Sequence, residues 1–403
     1  MNILFATLVD INSLDERGIY QDLMRALVQE GHKVFIVSPV ERRQKKPAGF
    51  FPSETGGILK VRIGNIQKTG RIEKGISMML LEDKYVSAVE KHFEDVTFDL
   101  IIYSTPPITL VKLVEFIIRR DDAISYLLLK DIFPQNAVDL GLLRKGSWLH
   151  KFFHKKEQRL YSISDYIGCM SPANVKYLQM HAQVDEEKVH VCPNSIEPVP
   201  WEAALDCEED KLNVRSQYGI SMDHKVFVYG GNLGRPQCVS FIIECLKLSQ
   251  NMDDRFFIIC GSGTDQELLV EYLEEERPKN VLLLKLLPKD EYDKLLKACD
   301  VGLIFLDTRF TIPNFPSRLL SYMEFGLPVL ACTDSNTDVG AVITEGGFGW
   351  WCSSDNSRYF TRVANQICAL DESVLRDMGK QGRQYLETHY LASQAAKKIL
   401  DEV

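Results

Sequence analysis

The chain has 403 residues, of which 45% are hydrophobic and 26% charged, and its formal net charge at pH 7 is −9. Because this length exceeds one ordinary hydrophobic core, two domains are expected. The charge is uneven, at +2 in residues 1–190 and −11 in residues 191–403. An acidic whole argues against a nucleic-acid partner, while a neutral-to-basic first half permits contact with an anionic membrane surface.

The N-terminus and the cysteines bear on location. MNILFATLVD has no basic region ahead of its apolar run, so it predicts a first strand rather than a signal peptide. No apolar run in the sequence approaches the ~18–20 residues that span a bilayer. The ten cysteines are scattered without a CxxC pair, which predicts neither a zinc site nor a disulfide framework. We therefore expect a cytoplasmic protein.

The first half alternates short apolar strands with amphipathic helices. NILFATLV, the helix IYQDLMRALVQEG and KVFIVSP form a strand–helix–strand unit whose spacing is typical of a right-handed parallel crossover. The later predicted strands are FDLIIYSTPP, AISYLLLKDIFP, DYIGCMSP and KVHVCPNS. Ligands bind at the carboxyl ends of such strands, so the loops that follow them are the candidate sites.

Residues 196–213, IEPVPWEAALDCEEDKLN, interrupt this alternation with prolines and acids, and we interpret them as an interdomain linker. A second series follows, with strands KVFVYGGN, RFFIICGSG, NVLLLKLLP, VGLIFL, LPVLAC and GGFGWWC. The prediction is an α/β fold of two doubly wound Rossmann-like domains facing a cleft, at residues 1–195 and 214–384. Residues 385–403 are predicted as a C-terminal helix that is a candidate to pack back on the first domain.

Two loops of the first domain are candidates for chemistry. Gly18, beside the start of the first helix, would let backbone amides approach a phosphate closely, although an ordinary turn also uses glycine there. Asp131, within KDIFPQNAVD at the end of a buried strand, can accept a proton or hydrogen-bond a sugar hydroxyl. The alternative for Asp131 is the capping of a helix.

Two glycine-rich turns follow strands of the second domain. The loop at 230–234, in VYGGNLGRPQ, fits either a close approach to phosphate or an ordinary tight turn, and Asn232 and Gln237 supply hydrogen-bond donors nearby. The GSG turn at 261–263 could pass a nucleotide base, with residues 286–288 flanking it. Taken singly, the residues of this second turn and its flanks are more readily explained as a turn or as part of the core than as a nucleotide site.

The segment TIPNFPSRLLSYMEFGLPVLA (311–331) predicts a loop, a helix that begins at Ser317, and a strand. Ser317 is predicted to be an N-cap whose hydroxyl accepts a free amide of the first turn. Arg318 then lies in the first turn, where the helix dipole disfavours a cation. A bound diphosphate would explain this arginine, since free amides, the dipole and the guanidinium would converge on it. The alternative is an arginine that points into water.

Two basic segments in the first half interleave cations with aromatic residues, namely ERRQKKPAGFFP (41–52) and LLRKGSWLHKFFHKKEQRL (142–160). Such segments suit peripheral contact with an anionic membrane. The alternative is a solvated helix face whose aromatic side chains pack on the core. HExxH, GxSxG, the Walker GxxxxGK[ST] motif and an Asp-x-Asp pair are absent from the sequence, so a metal-clamped diphosphate is not indicated.

Taken together, the motifs resemble those of GT-B fold glycosyltransferases of family 4, across nearly the whole chain. The resemblance is to the branch that builds bacterial O-antigen and capsular polysaccharide. It rests on the order and spacing of GHKVFIVSP, KDIFPQNAVDLGLL, MSPANVKYL, HVCPNS, YGGNLGRPQ, IICGSG, LPKDEYDKLLKACDVGLIFL and PSRLLSYMEFGLPVLA.

The resemblance implies a role for each candidate residue. The diphosphate of a nucleotide-sugar donor would meet Gly231, Asn232, Ser317, Arg318 and Leu319, and Gly18 would complete the pocket when the domains close. The nucleoside would lie against Gly261, Gly263, Leu287 and Glu324. Asp131 would lie near the reacting sugar and the acceptor, and it is grouped with Arg318 as catalytic.

The chain also departs from the family pattern. Pro313 and Ser321 stand where many members have a Glu-x7-Glu pair, so that Glu324 is a candidate replacement for the second, ribose-binding glutamate. Asn232 and Gln237 stand where members have an arginine and a lysine, and Lys130 stands where many have a histidine.

The resemblance implies a retaining hexosyl- or N-acetylhexosaminyltransferase that needs no metal and no other cofactor. Its acceptor would be a polyprenyl-diphosphate-linked saccharide at the inner face of the cytoplasmic membrane. Two alternatives remain: a nucleotide-sugar 2-epimerase of the same fold, and a catalytically silent glycosyltransferase-like subunit, which the missing glutamate pair favours.

Overall fold

The structure, a computed structural model, describes residues 1–66, 69–70, 73, 77–106, 108–205 and 208–403. The chain divides into two compact units. The first unit comprises Met1–Glu197 together with Leu391–Val403, and the second comprises Pro198–Tyr390. Each unit has its own hydrophobic core.

The first unit is built on a sheet that has eight strands within the described residues. They are β1 (Asn2–Ala6), β2 (Lys33–Glu41), β3 (Gly49–Ser53), β4 (Gly56–Ile63), β5 (Leu100–Ser104), β6 (Ile124–Leu129), β7 (Tyr166–Cys169) and β8 (Val189–Val191). Their order across the sheet is β3-β4-β2-β1-β5-β6-β7-β8. The pairing is parallel except between β3 and β4, where it is antiparallel. The central strands are near-continuous apolar runs because helices cover both faces of the sheet.

The helices of the first unit are α1 (Ile19–Gln29), α2 (Leu81–His92), α3 (Val111–Asp121), α4 (Gln135–Asp139), α5 (Trp148–Ile163), α6 (Pro172–His181) and, at the end of the chain, α16 (Ala392–Glu402). Helices α1 and α16 pack on each other and share one core cluster with β1. Leu27 of α1, Ile399 of α16 and Phe5 of β1 are all fully buried in that cluster.

The second unit is built on a parallel sheet that has six strands in the described part of the chain. They are β9 (Lys225–Asn232), β10 (Arg255–Ser262), β11 (Val281–Leu284), β12 (Val301–Phe305), β13 (Val329–Thr333) and β14 (Gly349–Ser353). Their order is β11-β10-β9-β12-β13-β14. The helices are α7 (Trp201–Ala204), α8 (Glu208–Gln217), α9 (Val239–Ser249), α10 (Gln266–Glu276), α11 (Lys289–Lys297), α12 (Arg318–Glu324), α13 (Val339–Glu345), α14 (Ser357–Cys368) and α15 (Glu372–His389).

Both sheets reverse their strand order at one point, between β1 and β5 in the first unit and between β9 and β12 in the second. Ligands of open parallel sheets bind outside the carboxyl ends of the strands at such a reversal. Gly231 and Asn232 are the last residues of β9, and the loop that follows β12 leads to Arg318. The strand order therefore indicates a ligand site near Gly231, Asn232 and Arg318, which are also candidates from the sequence.

The predicted α/β fold with two doubly wound domains is confirmed, and each strand predicted from the sequence is present. The antiparallel strand pair β3–β4 was not predicted. The chain passes from the first unit to the second at Glu197–Pro198, so that most of the predicted linker 196–213 lies in the second unit and carries α7 and α8. The final helical stretch is interrupted at Tyr390–Leu391, where the chain returns to the first unit.

The helices that the structure describes include none that is both long enough and apolar enough to cross a membrane.

Candidate functional site

Arg318 is the first residue of α12, and its side chain lies against an aromatic ring. Its guanidinium carbon lies 4.3 Å from the centre of the Tyr229 ring, a cation–π contact. Its Nη1 atom is buried, and no hydrogen-bond partner for this atom occurs among the described residues. An arginine normally satisfies its donors when it is buried, so this unpaired donor identifies a place where a ligand oxygen can bind.

Two more tyrosines surround this guanidinium, and the sequence analysis missed all three. The Tyr322 hydroxyl donates to the Leu303 carbonyl (3.0 Å) and accepts the Gly230 amide (3.3 Å). Burial raises the pKa of Tyr322 to about 12 and that of Tyr292 well above its usual value, so both phenols stay protonated. Tyr229 directly precedes the glycine-rich loop, but nothing in the sequence shows that its ring faces Arg318.

Gly231 ends β9 beside this guanidinium. Its φ is +131°, a conformation that L side chains rarely adopt, and an added Cβ would lie 3.3 Å from Nη2 of Arg318. A glycine is therefore required here both by the backbone and by the closeness of the arginine. The structure thus brings Gly231 and Arg318 together, as the resemblance implied.

Ser317 does not act as the predicted N-cap. It already has helical torsions (φ −63°, ψ −17°), and its side chain makes no capping hydrogen bond. The prediction was wrong because capping by a serine hydroxyl requires an extended backbone at that residue. The amide of Leu319, which the resemblance assigned to the diphosphate, donates to the Pro316 carbonyl at 3.2 Å. The candidate for anion binding in this segment is therefore Arg318, whose Nη1 has no partner in the described residues.

Asn232 is exposed, and its side-chain amide donates to Oε1 of Gln237 at 3.0 Å. The same oxygen accepts the Gly234 amide at 3.4 Å, so Gln237 fixes the shape of the loop. The Tyr229 hydroxyl donates to the Asn232 carbonyl at 2.5 Å. Tyr229 thus supports both the loop and Arg318.

The predicted nucleoside contacts lie at the ends of neighbouring strands. Gly261 pairs with Gly231 across β10 and β9, and an added Cβ would clash with the Gly231 carbonyl oxygen. Gly263 is similarly close to the backbone of Leu233. Leu287 follows β11 and is half-buried, while its neighbour Leu286 is 66% exposed. These glycines serve close strand packing, which the sequence analysis had kept as an alternative.

Glu324 occupies a different environment from the one that the resemblance implied. It is 1% exposed, and its Oε1 accepts the backbone amide of Val199 at 2.9 Å. Its backbone carbonyl accepts Nη1 of Arg383 at 3.1 Å. Glu324 therefore connects α12 to the start of the second unit. One carboxylate oxygen of Glu324 is thus bonded to a backbone amide inside the unit, whereas the resemblance implied a ribose contact.

Asp131 lies at the carboxyl end of β6 in the first unit. Burial raises the pKa of Asp131 to about 6, although the Ile132 amide and the Asn136 side chain lower it. Oδ2 accepts the Asn136 side-chain amide at 2.7 Å, whereas Oδ1 is buried without a partner among the described residues. The backbone is fixed by Thr105, whose hydroxyl donates to the Asp131 carbonyl at 3.0 Å. An unpaired carboxylate oxygen is free to accept a hydrogen bond or a proton from a ligand.

Lys130 is the residue next to this carboxylate. Burial lowers the pKa of Lys130 to about 8, and its ammonium donates to the Cys192 carbonyl at 3.4 Å.

Gly18, at the start of α1, has an extended φ of 171°, which any residue adopts. Its amide donates to Oδ1 of Asp22 at 3.2 Å. The amide of Gly18 is therefore bonded within the unit, and the backbone conformation does not require a glycine there.

The cations of the basic segment 41–52 are largely engaged within the first unit. Arg42 pairs with Glu73 (3.0 Å), Arg43 with Glu41 (2.6 Å) and Lys46 with Asp10 (2.8 Å). In the segment 142–160, Trp148 is 79% exposed and Phe152 is 49% exposed. In the first segment Phe51 is 45% exposed, so both segments present aromatic surface, and that of the second is larger because of Trp148.

Within the described part of the chain, no group of three or more histidine, cysteine, aspartate or glutamate side chains is arranged to hold a metal ion.

Comparison with known proteins adds the following. Residues 210–385 match the family model described as glycosyl transferases group 1. A probable glycosyltransferase of Pseudomonas aeruginosa, WbjE, is 26% identical over 268 residues, which cover 66% of this chain. The match spans 64% of the length of that relative.

Two solved structures resemble the whole chain. WaaG, a glycosyltransferase involved in lipopolysaccharide biosynthesis, is 14% identical with a TM-score of 0.64, over 98% of this chain and 99% of WaaG. Anabaena HepE in complex with UDP-glucose is 14% identical with a TM-score of 0.69, over 100% of both chains. The chain therefore has the GT-B fold of glycosyltransferases, and its second unit carries a segment that matches the glycosyl transferases group 1 family.

Proposed function

We propose that this protein is a retaining glycosyltransferase that moves a hexosyl or N-acetylhexosaminyl group from a nucleoside-diphosphate sugar to a lipid-linked saccharide. The observation that carries the proposal is Arg318, whose buried Nη1 has no partner in the described residues while its guanidinium is fixed by Tyr229. A charged donor held in one place at a strand-order reversal fits a ligand with a diphosphate. HepE, which has the same fold, binds UDP-glucose, and this supports the choice of donor class.

Arg318 would supply the charge that the departing diphosphate needs. A guanidinium that is already positioned stabilises developing negative charge without reorganising during the reaction. The sequence lacks the Asp-x-Asp pair that commonly clamps a metal–diphosphate complex, so the proposal assigns the charge stabilisation to Arg318 rather than to a metal ion. In transfer with retention, the leaving diphosphate would take the proton of the acceptor hydroxyl.

Asp131 would then position the sugar or the acceptor. Its Oδ1 is the buried carboxylate oxygen without a partner, and a pKa of about 6 leaves the group mostly ionised at neutral pH. An ionised carboxylate in such a place forms a strong, charge-assisted hydrogen bond to a hydroxyl. The resemblance places Asp131 near the reacting sugar, and its orphaned oxygen supports that role.

The acceptor would be a saccharide on polyprenyl diphosphate, used for O-antigen or capsular polysaccharide at the inner face of the cytoplasmic membrane. The support comes from α5 and the segment before it, which we propose dock on the membrane through an exposed apolar patch of Leu142, Trp148 and Phe152. Their exposed fractions are 58%, 79% and 49%. Lys145, Lys151 and Lys155, also exposed, flank this patch. Aromatic side chains beside lysines favour the headgroup region of an anionic bilayer.

The first experiment is calorimetric titration of the purified protein with UDP, GDP, ADP, TDP and CMP. One diphosphate is expected to bind, and Arg318→Ala should weaken that binding by about 10–150-fold, because a hydrogen bond to a charged group contributes roughly 1.5–3 kcal/mol. The matched control is Arg362→Ala. Arg362 also lies 4.3 Å from a tyrosine ring, that of Tyr359, but it is exposed.

The corresponding sugar nucleotides are then incubated with a lipid extract that contains polyprenyl-linked saccharides. The anomeric configuration of the product, read by NMR, tests retention. Binding that is unchanged in Arg318→Ala would show that the donor site is misplaced. Diphosphate binding with neither transfer nor donor hydrolysis would instead indicate a silent subunit.

A further inference from the structure

The first unit contains a cavity of about 220 Å³ to which no role has been assigned. One wall is the segment that directly follows Asp131, and the others come from α5 and α6. The lining includes three of the eight histidines of the chain, His150, His154 and His181, together with Glu157, Tyr161 and Tyr177.

The floor of the cavity is a fixed hydrogen-bond network. Glu157 accepts Nδ1 of His154 at 2.9 Å and the Tyr161 hydroxyl at 3.1 Å. Above it lie the His150 ring and the Tyr177 hydroxyl. The His150 amide donates to the Ser147 hydroxyl at 3.2 Å and the Tyr177 carbonyl contacts the His181 ring at 3.0 Å, so these hydrogen bonds use backbone atoms and do not engage the two side-chain groups. The cavity therefore offers donors and acceptors on a rigid base, which is how a polar ligand is oriented.

The aromatic rings of the lining are stacked in pairs. His150 and His154 are parallel, with centroids 5.8 Å apart, and Tyr177 and His181 lie 4.3 Å apart. Paired rings keep their orientation and present flat, partly apolar faces next to polar edges. A sugar ring has matching properties, with an apolar face of C–H groups and a rim of hydroxyls.

The charge around the cavity does not favour an anion. Lys145 is exposed at the wall, while Glu157 is buried at the floor. The Asp139 and Glu157 carboxylates add to burial in raising the pKa of Tyr177 to about 12. Burial, with the neighbouring His154 and Lys145, lowers the pKa of His150, so that this ring is neutral at physiological pH. The lining thus has one carboxyl group, Glu157, and one lysine, Lys145, with no excess of cations to select a phosphate, whereas a neutral polyol needs none.

The size and position of the cavity further restrict the kind of ligand that it can bind. A volume of about 220 Å³ is below the roughly 300–1,000 Å³ that encloses a drug-sized ligand, so the cavity suits one ring rather than a nucleotide. Its wall of Ile132, Pro134 and Gln135 begins one residue after Asp131, and α5 also carries the exposed Trp148.

We propose that this cavity binds a neutral sugar residue of the saccharide acceptor, one other than the residue that receives the new glycosidic bond. The inference rests on the proposed transferase function, and it makes the cavity a specificity subsite of that reaction. His150 and Tyr177 hydrogen-bond the sugar hydroxyls, and the stacked rings carry its apolar face.

The test is saturation-transfer NMR on the full-length protein with methyl glycosides of common hexoses, deoxyhexoses and N-acetylhexosamines at millimolar concentration. At least one glycoside should bind, and His150→Ala and Tyr177→Phe should each weaken it about 2–10-fold, as expected for one neutral hydrogen bond. Tyr177→Phe keeps the ring and its packing, so a folding defect is not expected. His92→Ala, an exposed histidine in the same unit, is the control and should bind as the wild type does.

Binding of the cognate nucleoside diphosphate is measured on the same samples and should be unchanged in every variant. Sugar binding that survives in the double variant His150→Ala/Tyr177→Phe, or its absence in the wild-type protein for each glycoside, would overturn the subsite. Loss of nucleoside-diphosphate binding alone would count against the proposed transferase and leave the sugar subsite standing.

Discussion

At the scale of single residues, Gly231 tests whether Arg318 is held in place by its neighbours. Gly231→Ala forces a Cβ to 3.3 Å from Nη2 of Arg318 and requires an alanine at a φ of +131°. We expect a loss of about 1–3 kcal/mol in the free energy of unfolding together with weaker nucleoside-diphosphate binding, both measured on the same preparation. Gly219→Ala separates the two effects, since Gly219 has a φ of +68° with open space around it. Equal diphosphate affinity in the two variants would contradict the close contact between Gly231 and Arg318.

Asp131 makes a prediction that depends on pH. Its pKa is raised from 3.8 to about 6 in the folded state, so the folded protein holds this proton more tightly than the unfolded chain does. Ionisation of Asp131 therefore lowers the free energy of unfolding progressively between pH ~4 and ~6, by an amount on the order of 2–3 kcal/mol. Asp131→Asn should accordingly be more stable than the wild type at pH 7 and equally stable near pH 3.5.

Urea unfolding of both proteins at the two pH values measures this difference. The same substitution should abolish transfer while leaving diphosphate binding intact, because Asp131 is proposed to position the sugar or the acceptor and not the diphosphate. Functional residues of this kind commonly lower the stability of a protein. An Asp131→Asn variant that is less stable than the wild type at pH 7 would contradict the prediction, because it would mean that the ionised carboxylate stabilises the folded protein.

Residue identities were easier to predict than side-chain directions. Arg318 was identified because a cation in a first helical turn opposes the helix dipole, and Gly231 because it stands in a glycine-rich loop that follows a strand. Ser317 was misread because a serine in this position usually caps, and only the observed torsions (φ −63°, ψ −17°) show that it does not. The partner of Glu324 is the Val199 amide, 125 residues away, and no local pattern carries that information.

At the scale of elements, the exposed end of α5 predicts membrane binding. Trp148→Ala and Phe152→Ala each remove apolar surface that is unshielded in the unit, and full burial of such a side chain contributes roughly 1.5–3 kcal/mol. Co-sedimentation with vesicles that contain anionic lipid should therefore fall at least about tenfold in the double variant. Leu268→Ala, an equally unshielded apolar residue of α10 in the other unit (45% exposed), should leave binding unchanged.

The vesicle experiment also tests whether the lysines around α5 contribute to membrane binding. Binding by the wild type should weaken as salt rises, because Lys145, Lys151 and Lys155 act through a screened interaction. Vesicle binding that is unaffected by Trp148→Ala/Phe152→Ala would remove α5 as the docking element.

The two basic segments show why charge runs alone mislead. Arg42, Arg43 and Lys46 each have a carboxylate partner, and Asp10 and Glu73 are more than 30 residues from theirs. In α5, Lys156 and Arg159 are likewise paired, with Glu82 and Glu115. The strand pair β3–β4 also escaped prediction. Its first strand, GFFPS, contains a proline and does not alternate cleanly, and it is stabilised by pairing at the sheet edge rather than by its own pattern.

At the scale of the whole molecule, the α/β fold could be predicted because its parallel strands are short, continuous apolar runs that alternate with helices along the chain. The course of the chain at the domain boundary was harder to predict. Ile196 and Leu391 form a bridge, and the Ala392 amide donates to the Ile196 carbonyl at 2.9 Å. These contacts join segments nearly 200 residues apart, so no window of sequence reveals that α16 belongs to the first unit.

This arrangement predicts two separable unfolding transitions. Ile399 of α16 is fully buried in the core cluster of the first unit, with α1 and β1, so Ile399→Ala should destabilise that unit by about 2–5 kcal/mol. A nucleoside diphosphate at about 100 times its dissociation constant should add roughly 2.7 kcal/mol to the unit that binds it. Because Arg318 and Gly231 lie in the second unit, the diphosphate and the substitution should shift different transitions in a calorimetric scan.

Lys397→Ala is the matched control, since Lys397 lies on the same helix but is exposed, and it should shift neither transition appreciably. The wild-type protein is measured first, with and without the diphosphate, so that the transition that the diphosphate shifts is assigned to the second unit before the variants are compared. A shift of that same transition by Ile399→Ala would mean that the two units unfold as one cooperative block. The C-terminal helix would then stabilise the donor-binding unit as much as the unit on which it packs.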